Sequence, residues 1–218
     1  MVLPTNLERF VESVVLDHDP LQSEMAIYAR EQGFPIIGRS AGSALTHYAT
    51  LTNASRIFEF GSGFGYSATW FLKGLASDGE LILTEVDADE LAMAEEYLTT
   101  AGERDRVIFE EGDALEIIDT YAGPFDCVLL DHHKAGYPAA FEKVKEKMAP
   151  GGVIIADNIL DGPVWYEELL PYLENETGLP DDETAAGLIA YLRQVQEAPE
   201  CQTIILPVDE GLSITVCQ

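Results

Sequence analysis

Short apolar runs alternate with amphipathic stretches from residue 56 to the end of the chain. Five runs, Arg56–Phe60, Glu80–Val86, Arg106–Glu110, Phe125–Leu130 and Gly152–Asp157, have the length and composition of buried strands. Between them, residues Ser67–Ala76, Ala88–Ala101, Ala114–Tyr121 and Tyr137–Met148 carry helical periodicity, each long enough for a crossover between parallel neighbours. Two further runs, Gln202–Val208 and Leu212–Val216, are separated only by the tight connection in LPVDEGL. That connection permits a hairpin and predicts an antiparallel edge on an otherwise parallel sheet. The pattern predicts an α/β protein with a doubly wound, mostly parallel seven-stranded sheet.

Residues 1–52 read as an added N-terminal layer of two or three helices, broken at GFPIIGRSAG, and 53–218 as the core of one domain covering 1–218. Residues 161–183, DGPVWYEELLPYLENETGLPDDE, follow the end of a strand, where open α/β sheets bind ligands. They read either as a substrate-covering lid or as a solvated insertion.

The 218 residues are 47% apolar, enough to bury one sizeable core. Charge changes the picture more: 39 Asp and Glu against 12 Lys and Arg give a net charge of -27. That excludes nucleic-acid backbones and anionic membranes as partners. The acids are spread along the chain, so the folded surface itself is acidic, and self-repulsion at this density calls for salt screening. The expectation is a halophilic protein whose stability rises with KCl. Cys127, Cys201 and Cys217 show no paired spacing, and their odd count points to a reducing, cytoplasmic setting rather than a disulfide framework. The opening MVLPTNLERFVESVVLDHD has no basic region ahead of an apolar run, so neither a signal peptide nor a transmembrane helix is expected there.

The sharpest local chemistry is RIFEFGSGFGYSATWF, a strand running through Gly61, Gly63 and Gly65 into a helix. Such a turn lets a ligand approach the helix N-terminus closely. A dinucleotide fingerprint needs its third glycine one residue later, which disfavours an NAD-linked oxidoreductase. The turn holds no Lys or Arg, and Glu59 ends its strand, so the ligand should be neutral or cationic at that point. Glu85 ends the next strand, the usual place for an acid that accepts hydrogen bonds from a ribose diol. A nucleoside bearing a cationic group satisfies both acids, and S-adenosylmethionine is one.

Asp131 closes the fourth strand and Asp157-Asn158 the fifth, so three oxygen donors converge on the carboxyl edge. Oxygen-only donors suit a hard cation such as Mg²⁺. His132 and His133 lack the partners of a tetrahedral zinc site.

Taken together, EFGSGFGYS, TEVDAD, EGDA, LLDHHKAGY, MAPGGVIIADNIL and LPVDEGLSI resemble the motifs of class I S-adenosylmethionine-dependent methyltransferases. Within that group the chain is similar to the small cation-dependent catechol and caffeoyl-CoA O-methyltransferases, from about Ile37 to Val216. The resemblance implies a Rossmann-like fold and an O-methyltransferase. It implies that Gly61, Gly63 and Ser67 hold the methionine end with Glu59 nearby, that Glu85 holds the ribose, and that Asp113 lies by the adenine. Ile37, Asp131 and His133 would complete the cofactor contacts. Asp131, Asp157 and Asn158 would hold the divalent cation, and Lys134 would be the general base. The same resemblance implies a small-molecule acceptor, and the N-terminal helices resemble a layer that relatives use for dimer contacts, which leaves both a monomer and a homodimer open.

The acceptor positions depart from those relatives. Gly33-Phe34-Pro35 stands where catechol methyltransferases have a tryptophan gate, Ile204 where they have an acid, and Asp161 where plant and bacterial relatives have a tryptophan. What carries over is a small acceptor with adjacent hydroxyls, and the acids of 161–183 disfavour an acyl-CoA. A non-catalytic nucleoside-binding protein on the same fold is the remaining alternative.

Overall fold

Successive side chains of a strand face opposite sides, and here both sides are apolar, so the sheet must be covered by helices on both faces. In the computed structural model, which describes residues 4–162, 164–175 and 178–217, the strands are β1 (Arg56–Phe60), β2 (Glu80–Glu85), β3 (Val107–Glu111), β4 (Phe125–Leu130), β5 (Met148–Ala156), β6 (Cys201–Leu206) and β7 (Leu212–Cys217). They form one seven-stranded sheet in the order β3-β2-β1-β4-β5-β7-β6. The first five are parallel, and β7 runs antiparallel to both β5 and β6. The predicted fold class is therefore the observed one.

On one face, Ile57, Leu129 and Ile155 pack against α2 (Pro20–Gln32), α3 (Arg39–Leu51), α4 (Tyr66–Gly74) and α5 (Ala88–Thr100), with Trp70 fully buried among them. On the other, Phe58, Val128 and Ile154 pack against the short α6 (Ala114–Ile117), α7 (Tyr137–Lys145) and α9 (Glu183–Glu197). The N-terminal layer has three helices, beginning with α1 (Thr5–Glu12), which buries no residue fully. Several acids start helices. Asp19 forms a capping box with Gln22, and Asp87, Asp113 and Asp182 accept first-turn amides of α5, α6 and α9. Part of the acidic excess thus satisfies helix N-termini.

Four features differ from the sequence pattern. β5 starts at Met148, because α7 stops at Lys145 and Met148 pairs with Phe125 ahead of a register shift. The helix expected over 114–121 is one α turn followed by a 3-10 turn, Ile118–Thr120. The stretch 161–183 contains α8 (Tyr166–Asn175), whose apolar stripe is masked by Pro171 and flanking acids; residues 163, 176 and 177 lie outside the described residues. The pattern also assigns no element to α9, although Ala185, Leu188, Ile189 and Val195 are buried at helical spacing.

The cysteine reading is corrected as well. Cys201 and Cys217 form a disulfide, and Cys127 is free and buried. The two bonded residues are direct cross-strand partners in the β6–β7 ladder. Their pairing is written in strand register, not in any short spacing motif. Among the described residues no helix is long and apolar enough to cross a membrane.

Candidate active site

The strand order reverses between β1 and β4, and ligands of open α/β sheets bind in the crevice outside the carboxyl ends at such a point. Parallel register brings the ends level. The Asp131 amide donates to Phe60 O (3.0 Å), Asp157 to Leu130 O (3.1 Å), and Gly61 to Thr84 O (3.1 Å). Above this edge lies a cavity of about 810 Å³, the size of a nucleoside-sized ligand with an acceptor.

The glycine turn forms one wall. Gly61 has φ +78°, and a Cβ there would lie 2.9 Å from the carbonyl oxygen of Asp131, so the chain can turn this sharply and this close to the end of β4 only with glycine at this position. No side chain caps the N-terminus of α4, which leaves its first amides for a ligand. Glu85 is fixed by three backbone amides, from Gly63 (2.9 Å), Val86 (2.7 Å) and Asp87 (3.1 Å). Gly61, Gly63, Ser67, Ile37, Asp113 and His133 all line the cavity. Asp113 does so while capping α6, and His133 is exposed, 3.9 Å from Glu183.

Glu59 is set one layer deeper. It is completely buried behind Ser67, whose hydroxyl donates to its Oε1, and Oε2 has no partner among the described residues. Burial, chiefly, pushes its pKa up to about 8, against the pull of the Ser67 hydroxyl. An unsatisfied buried carboxyl oxygen under the turn fits a cationic group of a ligand.

The second cluster occupies the ends of β4 and β5. Lys134 is buried in the 3-10 turn Lys134–Gly136. Its Nζ donates to Asp131 Oδ1 (3.1 Å) and to the Tyr137 hydroxyl (2.8 Å), which itself lies 2.7 Å from Leu130 O and 3.1 Å from Asp157 O. Burial pushes the Tyr137 hydroxyl well above its ordinary value, so it keeps its proton. Desolvation also raises Asp131, opposed by Lys134, and raises Asp157 further, with the Asp131 charge adding to burial. Asn158 takes the left-handed conformation, φ +55°, and its amide nitrogen donates to Glu210. That leaves the amide oxygen as its ligand atom. Among the described residues no group of three or more His, Cys, Asp or Glu side chains is placed to hold a metal ion. The set here is two carboxylates and an amide, and its oxygen chemistry and excess negative charge fit a hard divalent cation.

Every residue given a cofactor, metal or base role from the sequence falls on this cavity or, for Glu59, directly behind it. The lining residues given no cofactor, metal or base role from the sequence include His132, Phe34 and Glu210. The His132 ring lies between those of Phe60 (5.2 Å) and Tyr137 (5.3 Å), and burial lowers its pKa to about 4, so it stays neutral. Glu210 arrives through the pairing of the strands: β7 is antiparallel to β5 with Ala156 opposite Ser213, so the turn before β7 returns to the edge where β5 ends. Ile204 sits exposed on the outer strand, away from the cavity. Of 161–183, Gly162 lines the cavity and α8 packs on α9.

A family model described as O-methyltransferase matches residues 16–218. A catechol O-methyltransferase of Niastella koreensis is 35% identical over 144 residues, 63% of this chain and 65% of that protein. One of Mycobacterium tuberculosis is 30% identical over 162 residues, 73% of this chain and 74% of its own length. Among solved structures, an O-methyltransferase of Bacillus cereus in complex with S-adenosylhomocysteine superposes with a TM-score of 0.82 at 23% identity, covering 98% of both chains. The O-methyltransferase TomG of Streptomyces achromogenes, in complex with S-adenosylmethionine, gives 0.82 at 24% identity, covering 98% of this chain and 96% of the other.

Proposed function

The chain belongs to the O-methyltransferase family, and from that premise we propose that it moves the methyl group of S-adenosylmethionine to a hydroxyl of a small vicinal-diol or catechol-like acceptor with the help of a divalent cation. The observation that carries this reading is Lys134, buried at the cavity wall and held between a carboxylate and a hydroxyl that orient its amine. The partnerless Glu59 oxygen under the glycine turn and the amide-fixed Glu85 support the methyl donor.

Asp131, Asp157 and the amide oxygen of Asn158 would hold the cation. When bound, the cation, Mg²⁺ by donor chemistry, supplies Lewis acidity that lowers the pKa of a chelated acceptor hydroxyl. Lys134 takes the hydroxyl proton at Nζ, and Tyr137 keeps that nitrogen aimed at the cavity. The acceptor oxygen then attacks the sulfonium methyl in line, the O–CH₃ bond forming as the S–CH₃ bond breaks and S-adenosylhomocysteine leaves as the neutral thioether, the walls contributing orientation and exclusion of water. Among the described residues six carboxylates, Glu85, Glu90, Asp113, Asp131, Asp157 and Glu210, line the cavity against one lysine. That balance favours a neutral or cationic acceptor over an acyl-CoA.

Incubation with methyl-labelled S-adenosylmethionine and a panel of catechols and aliphatic diols tests the reading. Transfer that needs Mg²⁺ and stops with EDTA is expected. Transfer unaffected by chelation would remove the cation from the scheme, and donor binding without transfer would favour a non-catalytic protein.

Glu59 adds a pH signature. Its folded pKa of about 8 exceeds the ordinary 4.5, so the donor-free protein carries the proton at pH 7. The protonated acid contributes stability that is full below 4.5 and is lost as pH rises through 8. A cationic donor displaces that proton, so binding near pH 7 is expected to release about one proton. Calorimetry in buffers of different ionisation enthalpy reads this, and buffer-independent heats would separate Glu59 from the donor.

A further inference from the structure

Helix α3 begins immediately after Phe34–Ile37, the segment that walls one side of the cavity. Its N-cap, Gly38, has no side chain to accept the first amides, and the four N-terminal amides of a helix need partners from elsewhere. The partner comes from 168 residues away. The Ala41 amide donates to Asp209 Oδ2 at 2.6 Å, and the Ser40 amide bonds the same carboxylate. These are the N2 and N3 positions that an ordinary N-cap side chain would satisfy. The fit leaves no alternative at Gly38, where a Cβ would lie 2.2 Å from Asp209 Cγ.

Asp209 reaches this place in a strained form. Its φ is +48°, a left-handed conformation that aspartate tolerates better than most residues. The turn is closed by the Gly211 amide on Val208 O (2.8 Å). The same turn grips the opposite side of the cavity. Glu210 O accepts the amides of Leu160 and Asp161 (both 3.0 Å), Gly211 O accepts that of Ile159 (3.0 Å), and the Glu210 carboxylate accepts the Asn158 amide. One four-residue turn is thus bonded both to the start of α3 and to the segment carrying Asn158.

We propose that Asp209 is a positioning residue: by capping α3 from the β6–β7 turn it fixes Phe34–Ile37 as the wall of the methyl-donor site, in register with the Asn158 edge. This rests on the donor occupying the main cavity and is independent of the cation. Its function is local, so its loss is expected to act on donor affinity rather than on chemistry at saturation.

Three variants separate the roles. Asp209→Gly keeps the left-handed turn and removes the carboxylate; Asp209→Asn keeps an acceptor oxygen and tolerance of the turn. The double variant Gly38→Ser with Asp209→Gly moves the cap to the N-cap itself, where φ -72° and ψ 170° suit serine. Asp209→Gly is expected to raise the S-adenosylhomocysteine Kd and the donor KM about tenfold, the scale of one lost helix cap, with kcat at saturating donor unchanged. Both Asp209→Asn and the double variant are expected to restore affinity. Asp209→Gly binding like the wild type would overturn the proposal, as would a loss that neither of the other variants recovers. A fall in kcat and thermal stability together, with Kd unmoved, would mark a purely structural role and overturn it too. Should Asp209→Gly not fold, wild-type affinity in Asp209→Asn and in the double variant supports the proposal, and a tenfold affinity loss in both overturns it. Wild-type protein that fails to bind S-adenosylhomocysteine would instead sink the placement of the donor.

Discussion

Lys134→Ala is expected to lower kcat by about 10²–10⁴-fold, the usual contribution of a positioned general base, with S-adenosylhomocysteine affinity unchanged. The two parts of that expectation come from different contacts. Lys134 Nζ bonds Asp131 and Tyr137, and neither partner belongs to the glycine turn. A purely electrostatic role must be separated from proton transfer, because the ammonium also offsets the Asp131 charge. Lys134→Arg does this. Arginine keeps the positive charge and comparable reach but does not give up its proton near neutral pH. If Lys134 acts as a base, the arginine variant is as inactive as the alanine variant; if it only balances charge, arginine restores most of the rate. Steady-state kinetics at saturating donor, with calorimetry for affinity, reads both outcomes. Wild-type turnover in either variant would remove Lys134 from the base role.

How much of this was legible in the sequence follows from what fixes each part. Glu59, Glu85, Asp131 and Asp157 stand at or just past the ends of apolar runs, and in a parallel sheet every such end lies on one edge, so reading the strands places the site. The ends of β1 and β4 were legible to the residue because each strand is bounded by turn-forming or acidic positions. Side chains delivered by the antiparallel strands were not. Glu210 reaches the cavity, and Asp209 the start of α3, only because β7 pairs with β5 in one register, and register over long range is a tertiary property. The Cys201–Cys217 bridge was missed for the same reason. Helix α8 was hidden by local composition: Pro171 and the surrounding acids argue for a loop, and burial of Leu169 overrides them, whereas α9 carries its buried Leu188 and Ile189 at ordinary helical spacing and was legible though no element was assigned to it. Depth was equally invisible. Nothing in FEF tells that Glu59 is wholly buried while Glu85 is part-exposed, yet that difference raises the pKa of Glu59 to about 8.

Asp157→Asn is expected to abolish the response to Mg²⁺ and cut methyl transfer at least about 100-fold, while leaving the cation-free fold as stable as the wild type or more so. The sign of the second effect follows from the environment. Asp157 is 3% exposed, and its desolvation together with the facing Asp131 penalises the ionised form. Without a cation, the acid either holds a proton or sits as poorly compensated charge, and a neutral amide of nearly the same shape removes that cost. With a cation the balance inverts, because the ionised carboxylate becomes a ligand and the amide a poorer one. Wild-type protein at 100-fold excess of Mg²⁺ over its Kd gains about 2.7 kcal/mol by mass action, a rise in Tm of about 5–10 °C for a chain of this length. The variant is expected to show no such rise. Thermal melts in EDTA and across a Mg²⁺ titration, run beside the methyl-transfer assay, decide the matter. Equal Mg²⁺ shifts in both proteins would place the cation elsewhere, and a variant several degrees less stable in EDTA would mean that the Asp157 carboxylate is built for the fold rather than for a ligand.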